Sequence, residues 1–562
     1  MHDLVIRGGS VVDGTGGPAR SADVAVEGDR IVAVGDDVGA AHRVVDADGA
    51  LVTPGFVDVH THYDGQATWD ERMTPSSWHG VTTVVTGNCG VGFAPVRTSD
   101  HQTLVELMEG VEDIPGTALH EGLSWEWESF GDFLDVLDQL HRDVDVAAQL
   151  PHGALRLYVM GDRGAAREPA TGDEIAEMAR LAQKAVEAGA LGFTTSRTRN
   201  HRTSRGDWTP TLTAPAEELA GIAEGLGRAG TGVLQVVSDF ANPGDELGAV
   251  LGMAEASGRP LSISVTQVPA RPGAWRDLLA AITDANERGM AVTAQVASRP
   301  VGIILGLQAT LSPIGASPTA RNIGFDPETL VRDDIRATIL AEVAEHGPTF
   351  PWTHVFRLDD PPDYEPAPEA SIAAEAERLG VAPEALAYDL VMTDGGQGLL
   401  YVPFLNYADG DLEPTREMLL HPHAVLGLAD GGAHVGTICD ASFPTTMLTH
   451  WARDRTRGER LPLPHVVAMQ TSRTARMAGL LDRGQIAPGL RADLNVIDLD
   501  GLTLRPPEIS FDLPAGGKRF LQRADGYLHT FVAGEETYAS GEPTGALPGR
   551  LVRGARRAPG PV

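Results

Sequence analysis

The sequence predicts an α/β protein: a (β/α)8 TIM barrel with a small composite β-sandwich domain built from both chain termini. Three observations carry this expectation. From residue 56 onward, short apolar runs alternate with amphipathic helical stretches, the pattern of parallel strands joined by helices. That stretch, 56–479, is long enough for eight such units. The flanking segments, 1–55 and 480–562, instead show β-rich runs at short spacing, broken by glycine turns.

In the first segment Leu4-Val5-Ile6 precedes Gly8-Gly9, and Val11-Val12 precedes Asp13-Gly14. Val24-Ala25-Val26, Ile31-Val32-Ala33-Val34 and Val44-Val45 follow, so short strands joined by tight turns are expected. The barrel strands are expected after Pro54-Gly55, at Val81-Thr82-Thr83-Val84-Val85-Thr86, at 144–150, and at Leu191-Gly192-Phe193. They continue at 233–237, 261–265, 291–296 and 425–428, and residues 172–188 have helical periodicity. Between about 297 and 420, Pro361-Pro362, Pro366 and Pro368 mark a loop-rich insertion. Helices are expected there near 370–379 and 384–392, and the insertion reads as a lid over the barrel mouth. Helices near 443–456 and 464–478 precede the return to strand and turn texture at 484–497.

Composition narrows the function. Of the 562 residues 42% are hydrophobic and 22% charged, as in soluble globular enzymes. The net charge of −33 argues against nucleic acid or an anionic membrane as partner, because the field repels phosphates. A small-molecule substrate needs only a local basic pocket and is the expected partner; a homo-oligomer is also compatible. Two cysteines, Cys89 and Cys439, allow at most one disulfide, which points to a reducing compartment. The start, Met1-His2-Asp3-Leu4, has no signal pattern, and no apolar run is long enough for a bilayer. A cytoplasmic protein is expected, and the abundance of Ala, Gly, Asp and Arg fits a GC-rich bacterial genome.

The chemistry sits at predicted strand ends. His60 and His62 are one residue apart, so on a strand they share a face and form a metal half-site. A bare His-x-His reads equally as two hydrogen-bonded structural histidines. Cys89, in Gly87-Asn88-Cys89-Gly90, ends the second strand and offers a thiolate, or else a small buried hydrophobe. Asp430 ends the last strand before Gly431-Gly432; a carboxylate there can ligate a metal and move a proton, or form an Asx turn. His434 lies close by as a candidate for substrate or oxyanion. His152, Arg156, Arg199 and His201 also follow strands, and the basic run 197–202 is a candidate grip for a substrate carboxylate or a solvated loop. Cys439 reads as a packing residue. No phosphate-binding glycine loop and no Gly-x-Ser-x-Gly elbow is present, which removes support from nucleotide and serine-hydrolase chemistry.

Together these residues resemble the amidohydrolase superfamily and, within it, the N-acyl-D-amino-acid deacylase (D-aminoacylase) branch. The likeness rests on Pro54-Gly55-Phe56-Val57-Asp58-Val59-His60-Thr61-His62 and on Gly80-Val81-Thr82-Thr83-Val84-Val85-Thr86-Gly87-Asn88-Cys89-Gly90. It extends to His152-Gly153-Ala154-Leu155-Arg156, to 189–195, to Asp430, and to Gly484-x-Ile486-x-x-Gly489-x-x-Ala492-Asp493-Leu494. The resemblance implies the barrel, the composite β-domain, zinc, and amide hydrolysis by a metal-activated water. It implies that His60, His62 and Asp430 hold one metal, that Cys89 belongs to a second position, and that Asp430 is general base and acid.

The chain departs from that branch in one respect. The branch completes its second position with a histidine on each of two middle strands, and here 233–239 and 261–268 contain none. One zinc ion on His60, His62 and Asp430 is therefore expected, with manganese or cobalt as alternatives, and the cysteine-centred position is weakened or absent. The leading expectation is a metal-dependent amidohydrolase of a small carboxylated substrate such as an N-acyl-D-amino acid. Alternatives are a cyclic amide or imide hydrolase, a lyase or isomerase on the same barrel, and a degenerate binding protein.

Overall fold

The computed structural model describes residues 1–560. Phe56–Asp58 pairs in parallel with Val81–Thr86, which pairs in parallel with Asp145–Ala148. The third strand resumes at Leu150–Pro151 and pairs in parallel with Gly192–Arg197. Val233–Ser238, Leu261–Ser264, Val292–Val296 and Ala424–Leu426 continue the parallel series. Counting 145–151 as one strand, this is the set of eight that the sequence pattern predicts.

The ring closes through the segments that carry His60, His62 and Asp430. Thr61 bridges Gly431 in parallel. The amide of Asp430 donates to the carbonyl of His60 at 3.0 Å, and the amide of His62 donates to that of Gly431 at 2.7 Å. Connecting helices bury apolar stripes against the strands. Gly172–Ala188 starts at a capping box, with Thr171 and Glu174 satisfying each other's amides, and stops at Gly189, whose φ of 118° favours glycine.

Both termini enter one sheet. Its path runs from Glu542–Pro543 through Glu535–Ala539, Tyr527–Val532, Leu494–Ile497, Leu51–Pro54, His2–Val11 and Arg20–Glu27 to Arg30–Gly35, with Ala41–Asp46 also paired to His2–Val11. The join is the antiparallel pairing of Leu51–Pro54 with Leu494–Ile497. The sheet has its own core, including Leu4, Ile6, Val24, Ile31, Leu494 and Phe531. The last stretch of chain leaves this sheet: the amide of Val552 donates to Val146 O at 2.7 Å, and Val552 packs with Val57, Val59 and Val85.

Gly8-Gly9 is not the turn that its glycines suggest. His2–Val11 is one strand, and its register against Arg20–Glu27 shifts between Ile6 and Gly9. The extra residue is a bulge: Gly8 has φ of 68° and donates its amide to Asp23 Oδ1 at 2.8 Å. A Cβ on Gly9 would lie 2.4 Å from Val52 Cγ2. Gly9→Ala is therefore expected to destabilise by ~1–3 kcal/mol through overpacking, read as a lower thermal midpoint with unchanged KM. An unchanged midpoint would show that Val52 gives way freely.

The 297–420 stretch is more ordered than its prolines suggest. Val301–Leu305, Leu400–Leu405 and Phe356–Arg357 form an antiparallel sheet with its own apolar core. Asp333–His346, Ile372–Leu379 and Pro383–Val391 are among its helices. It grips the loops at the strand ends: Thr310 donates its amide to Gly436 O at 2.8 Å, and Gln267 donates its amide to Asn406 Oδ1 at 2.7 Å.

Candidate active site

Each key side chain is placed by a short irregular turn at a strand end. After the second strand, Gly87 brings the chain against the third, where a Cβ would lie 2.2 Å from Gln149 O. Asn88 donates from Nδ2 to Val85 O and Thr61 O, which ties this turn to the first strand. Cys89 follows with φ of 54°, its amide donating to Gln235 Oε1 at 3.3 Å. After the last strand, Leu428, Asp430 and His434 all have φ between 49° and 60°. Such backbone is uncommon outside glycine and gathers at functional sites. Gly431 and Gly432 admit Tyr63: a Cβ at Gly431 would lie 2.8 Å from its hydroxyl, and one at Gly432 would lie 2.8 Å from its ring.

These turns converge. His60 Nε2 lies 3.3 Å from Cys89 Sγ and 3.3 Å from Asp430 Oδ1, and His62 Nε2 lies 3.7 Å from the same Oδ1. His60, His62 and Cys89 each offer one ligand atom within 4.8 Å of the others. His60 turns Nδ1 away, 2.7 Å from Gln295 Oε1, and Gln295 is held in turn by donating from Nε2 to Ser262 Oγ at 2.8 Å. That bond makes Nδ1 the protonated nitrogen and leaves the Nε2 lone pair facing the cluster.

Glu112 is a fifth member that no sequence motif announces. It ends the helix His101–Glu112 and is buried to 1% exposure, 3.1 Å from His62 Nδ1 and 3.7 Å from His434 Nε2. Both its carboxylate oxygens, His62 Nδ1 and Asp430 Oδ1 are buried without a hydrogen-bond partner. Among the described residues, no lysine or arginine pairs with Asp58, Asp64, Glu112 or Asp430.

Electrostatics follow from that imbalance. Burial, then the nearby carboxylates of Asp430 and Asp64, pushes Glu112 well above the usual carboxylate range. Burial, then Glu112, Asp430 and Asp64, likewise drives the Cys89 thiol up. Burial raises Asp58 and Asp64 each to about 7. Burial, then His60, His434 and His201, holds His62 well below the ordinary imidazole value, so its ring is neutral at pH 7. A sulfur, two imidazole nitrogens and a partnerless carboxylate oxygen, in a buried site crowded with acids, fit a divalent cation such as zinc.

The other candidates divide. His201 is half-buried beside this cluster, with Nδ1 2.9 Å from Ser196 Oγ, and burial with the imidazoles of His434 and His60 lowers its pKa to about 3. Arg199 is exposed on the same loop; its amide donates to Asp239 Oδ2 at 2.9 Å. His152 and Arg156 do not face a substrate. Both are 0% exposed and both bond Glu218 Oε1, at 2.9 and 2.6 Å. Burial alone would raise Glu218, but His152 and Arg156 hold it down to about 2. The helical i, i+4 spacing that aligns these two side chains aims them at a buried ion pair, and the substrate role expected of them is withdrawn. Cys439 is a buried packing residue, as its sequence setting suggests.

The histidine-free strands carry no substitute ligand. Gln267 gives Nε2 to Asp409 Oδ2 and accepts the Ala408 amide, so it braces the insertion. Asp239 accepts from Thr198 Oγ1 and from the Arg199 amide. Gln235, Ser262 and Gln295 form a polar floor under His60 and Cys89.

With this geometry in place, comparison with known proteins is direct. A profile of the amidohydrolase family matches residues 43–538. The D-aminoacylase of Alcaligenes xylosoxydans xylosoxydans is 30% identical over 561 residues, covering 98% of this chain and 97% of the relative. The N-acyl-D-glutamate deacylase of the same organism is 30% identical over 568 residues, covering 98% and 96%. Among solved structures, a D-aminoacylase with a binuclear metal centre, in which one metal activates and the second attenuates, superposes with a TM-score of 0.67. It is 27% identical, and the match covers 98% of this chain and all of that one. The N-acyl-D-glutamate deacylase of Bordetella bronchiseptica, bound to zinc and a phosphonate mimic of the tetrahedral intermediate, gives 0.65 at 26% identity, with 98% and 99% covered. No helix among the described residues is long and apolar enough to cross a membrane. This chain belongs to the amidohydrolase family and is a hydrolase of C–N bonds other than peptide bonds.

Proposed function

We propose that this protein hydrolyses the amide of a small carboxylated substrate of the N-acyl-D-amino-acid type, with a single divalent cation, zinc by preference, held at His60, His62 and Asp430. The observation that carries the reading is Asp430 Oδ1, a buried carboxylate oxygen without a hydrogen-bond partner, facing two imidazole Nε2 atoms at 3.3 and 3.7 Å. A cation held there supplies Lewis acidity, polarising the scissile carbonyl and lowering the pKa of water. Cys89 Sγ, 3.3 Å from His60 Nε2, stands beside the same position. The strands that carry no histidine offer it no imidazole to complete a second site.

The side chains then divide the work. Asp430 takes the proton of the attacking water on a carboxylate oxygen and returns it to the leaving nitrogen. His434, on the same loop and half-buried, faces the substrate and its developing oxyanion. Arg199, free on the loop after the fourth strand, meets the substrate carboxylate, and His201 lines the approach. The relatives named as deacylases of N-acyl-D-amino acids support the substrate class.

Elemental analysis of protein purified without chelator, together with product masses from a substrate panel, tests this. One divalent cation per chain and release of free amino acid from N-acyl-D-amino acids, over their L forms, is the expected result. Ring-opened products from cyclic imides alone would favour the reading that the altered middle strands serve a cyclic amide. No bound metal, and no turnover with zinc, manganese or cobalt supplied, would overturn the enzymatic reading in favour of a binding protein.

A further inference from the structure

Glu112 is the least explained group in the molecule. It is almost fully buried, both oxygens lack a hydrogen-bond partner, and it lies between two imidazoles of the site. Its backbone and the next side chain are pinned by three hydrogen bonds. The Val435 amide donates to Glu112 O at 3.2 Å. The next residue, Asp113, has φ of 54° and accepts from Thr437 Oγ1 at 2.6 Å and from Thr310 Oγ1 at 2.8 Å. The loop after the last strand and the insertion therefore fix where the Glu112 side chain starts. Holding a carboxyl group buried with both oxygens unpartnered opposes folding, so the position calls for a compensating role.

The geometry decides which role. Glu112 faces His62 Nδ1, whereas Asp430 Oδ1 faces Nε2 of both histidines and Cys89 Sγ faces Nε2 of His60. A cation bound by Nε2 is thus on the far side of the ring from Glu112, so Glu112 is no ligand to it. A carboxylate on the distal nitrogen of a ligating imidazole fixes the tautomer and makes the ring more basic. The same carboxylate group reaches His434 with its other oxygen.

We infer that Glu112 is a positioning residue of the metal centre: it holds His62 with Nδ1 protonated and Nε2 free for the cation, and through its second oxygen fixes the ring of His434 on the adjoining loop. This rests on the metal-dependent reading above. It predicts that the helix His101–Glu112, the first α-helix after the second strand, which carries none of the expected ligands, sets the strength of metal binding. It also makes one carboxylate couple a ligand to a substrate-facing residue, so that both rings are oriented together.

The test uses the full-length protein, stripped of metal and titrated with zinc against a chromophoric chelator, with cobalt(II) absorption as a second readout. Glu112→Ala is expected to weaken zinc binding by about 10- to 100-fold, and to shift the visible cobalt bands as the His62 ring loosens. Glu112→Gln, which keeps an acceptor and loses the charge, is expected to fall between it and the parent. Thermal melts of the metal-free proteins identify variants that fail to fold; Glu112→Gln keeps the test open if Glu112→Ala does. Zinc affinity within twofold of the parent and an unchanged cobalt spectrum in a folded variant would overturn the inference. So would loss of one of two bound metals, because Glu112 would then be a ligand. A parent protein that binds no metal would instead overturn the underlying metal-dependent reading.

Discussion

Asp430→Asn is expected to reduce kcat by a factor of ~10²–10⁴, the range for removing a positioned acid–base group, with the thermal midpoint of the metal-free protein almost unchanged. The choice of asparagine matters. Asp430 sits at φ of 49°, a conformation that asparagine tolerates about as well as aspartate and alanine does not. The backbone bond from its amide to His60 O is independent of the side chain. Asparagine therefore removes the proton acceptor and leaves the seam intact, whereas alanine would confound chemistry with strain. Steady-state kinetics and a melt on the same preparation check it. Parental turnover in a well-folded Asp430→Asn protein would sink the assigned mechanism.

Arg483→Met is expected to destabilise the fold by about 3–5 kcal/mol, the penalty for stripping the partner from a buried charge. Arg483 is 3% exposed at its side chain and donates to Asp145 Oδ2 at 2.7 Å, Thr83 Oγ1 at 2.8 Å and Asp482 Oδ1 at 3.0 Å. Asp493 lies at 3.9 Å. Burial alone would push the guanidinium down, but Asp145, Asp493 and Asp482 together hold it above its ordinary value. Without Arg483, three buried carboxylates would share Arg491, which donates to Asp145 Oδ1 at 3.0 Å. The cluster also links the second and third barrel strands to the turn that opens the C-terminal strands. Urea unfolding reads the loss as a lower midpoint. Arg483→Met with Asp145→Asn should recover part of it; no loss in the single variant would show the cluster to be dispensable.

What was legible in the sequence follows a physical rule. His60, His62, Cys89 and Asp430 each end an apolar strand beside glycine or another of the four, and parallel strands bring their ends to one rim. Glu112 lacks such a marker. Its helix carries acids at 106, 109 and 112, a spacing that looks like a solvated face. The signal against this was present: Leu104, Met108 and Glu112 follow at i+4, which puts one acid on the apolar stripe. His152 and Arg156 misled for the converse reason, because their partner Glu218 is 62 residues or more away and shares no local pattern. The strands of the insertion were hidden by Pro300, Gly302 and Pro403, which break the run of β-formers that pairing across the sheet restores.

The seam of the barrel gives the site a second meaning. The first and last strands meet through Thr61 with Gly431 and through two amide bonds, and each bond involves the backbone of His60, His62 or the Asp430 turn. On the proposed reading, an ion gripped by those side chains would clasp the two edges of an eight-strand ribbon, so that occupancy and ring closure would form one linked equilibrium. A thousandfold excess of cation over its dissociation constant adds ~4 kcal/mol against opening. On the proposed reading, the supply of free metal would set the stability of the closed ring as well as the catalytic rate.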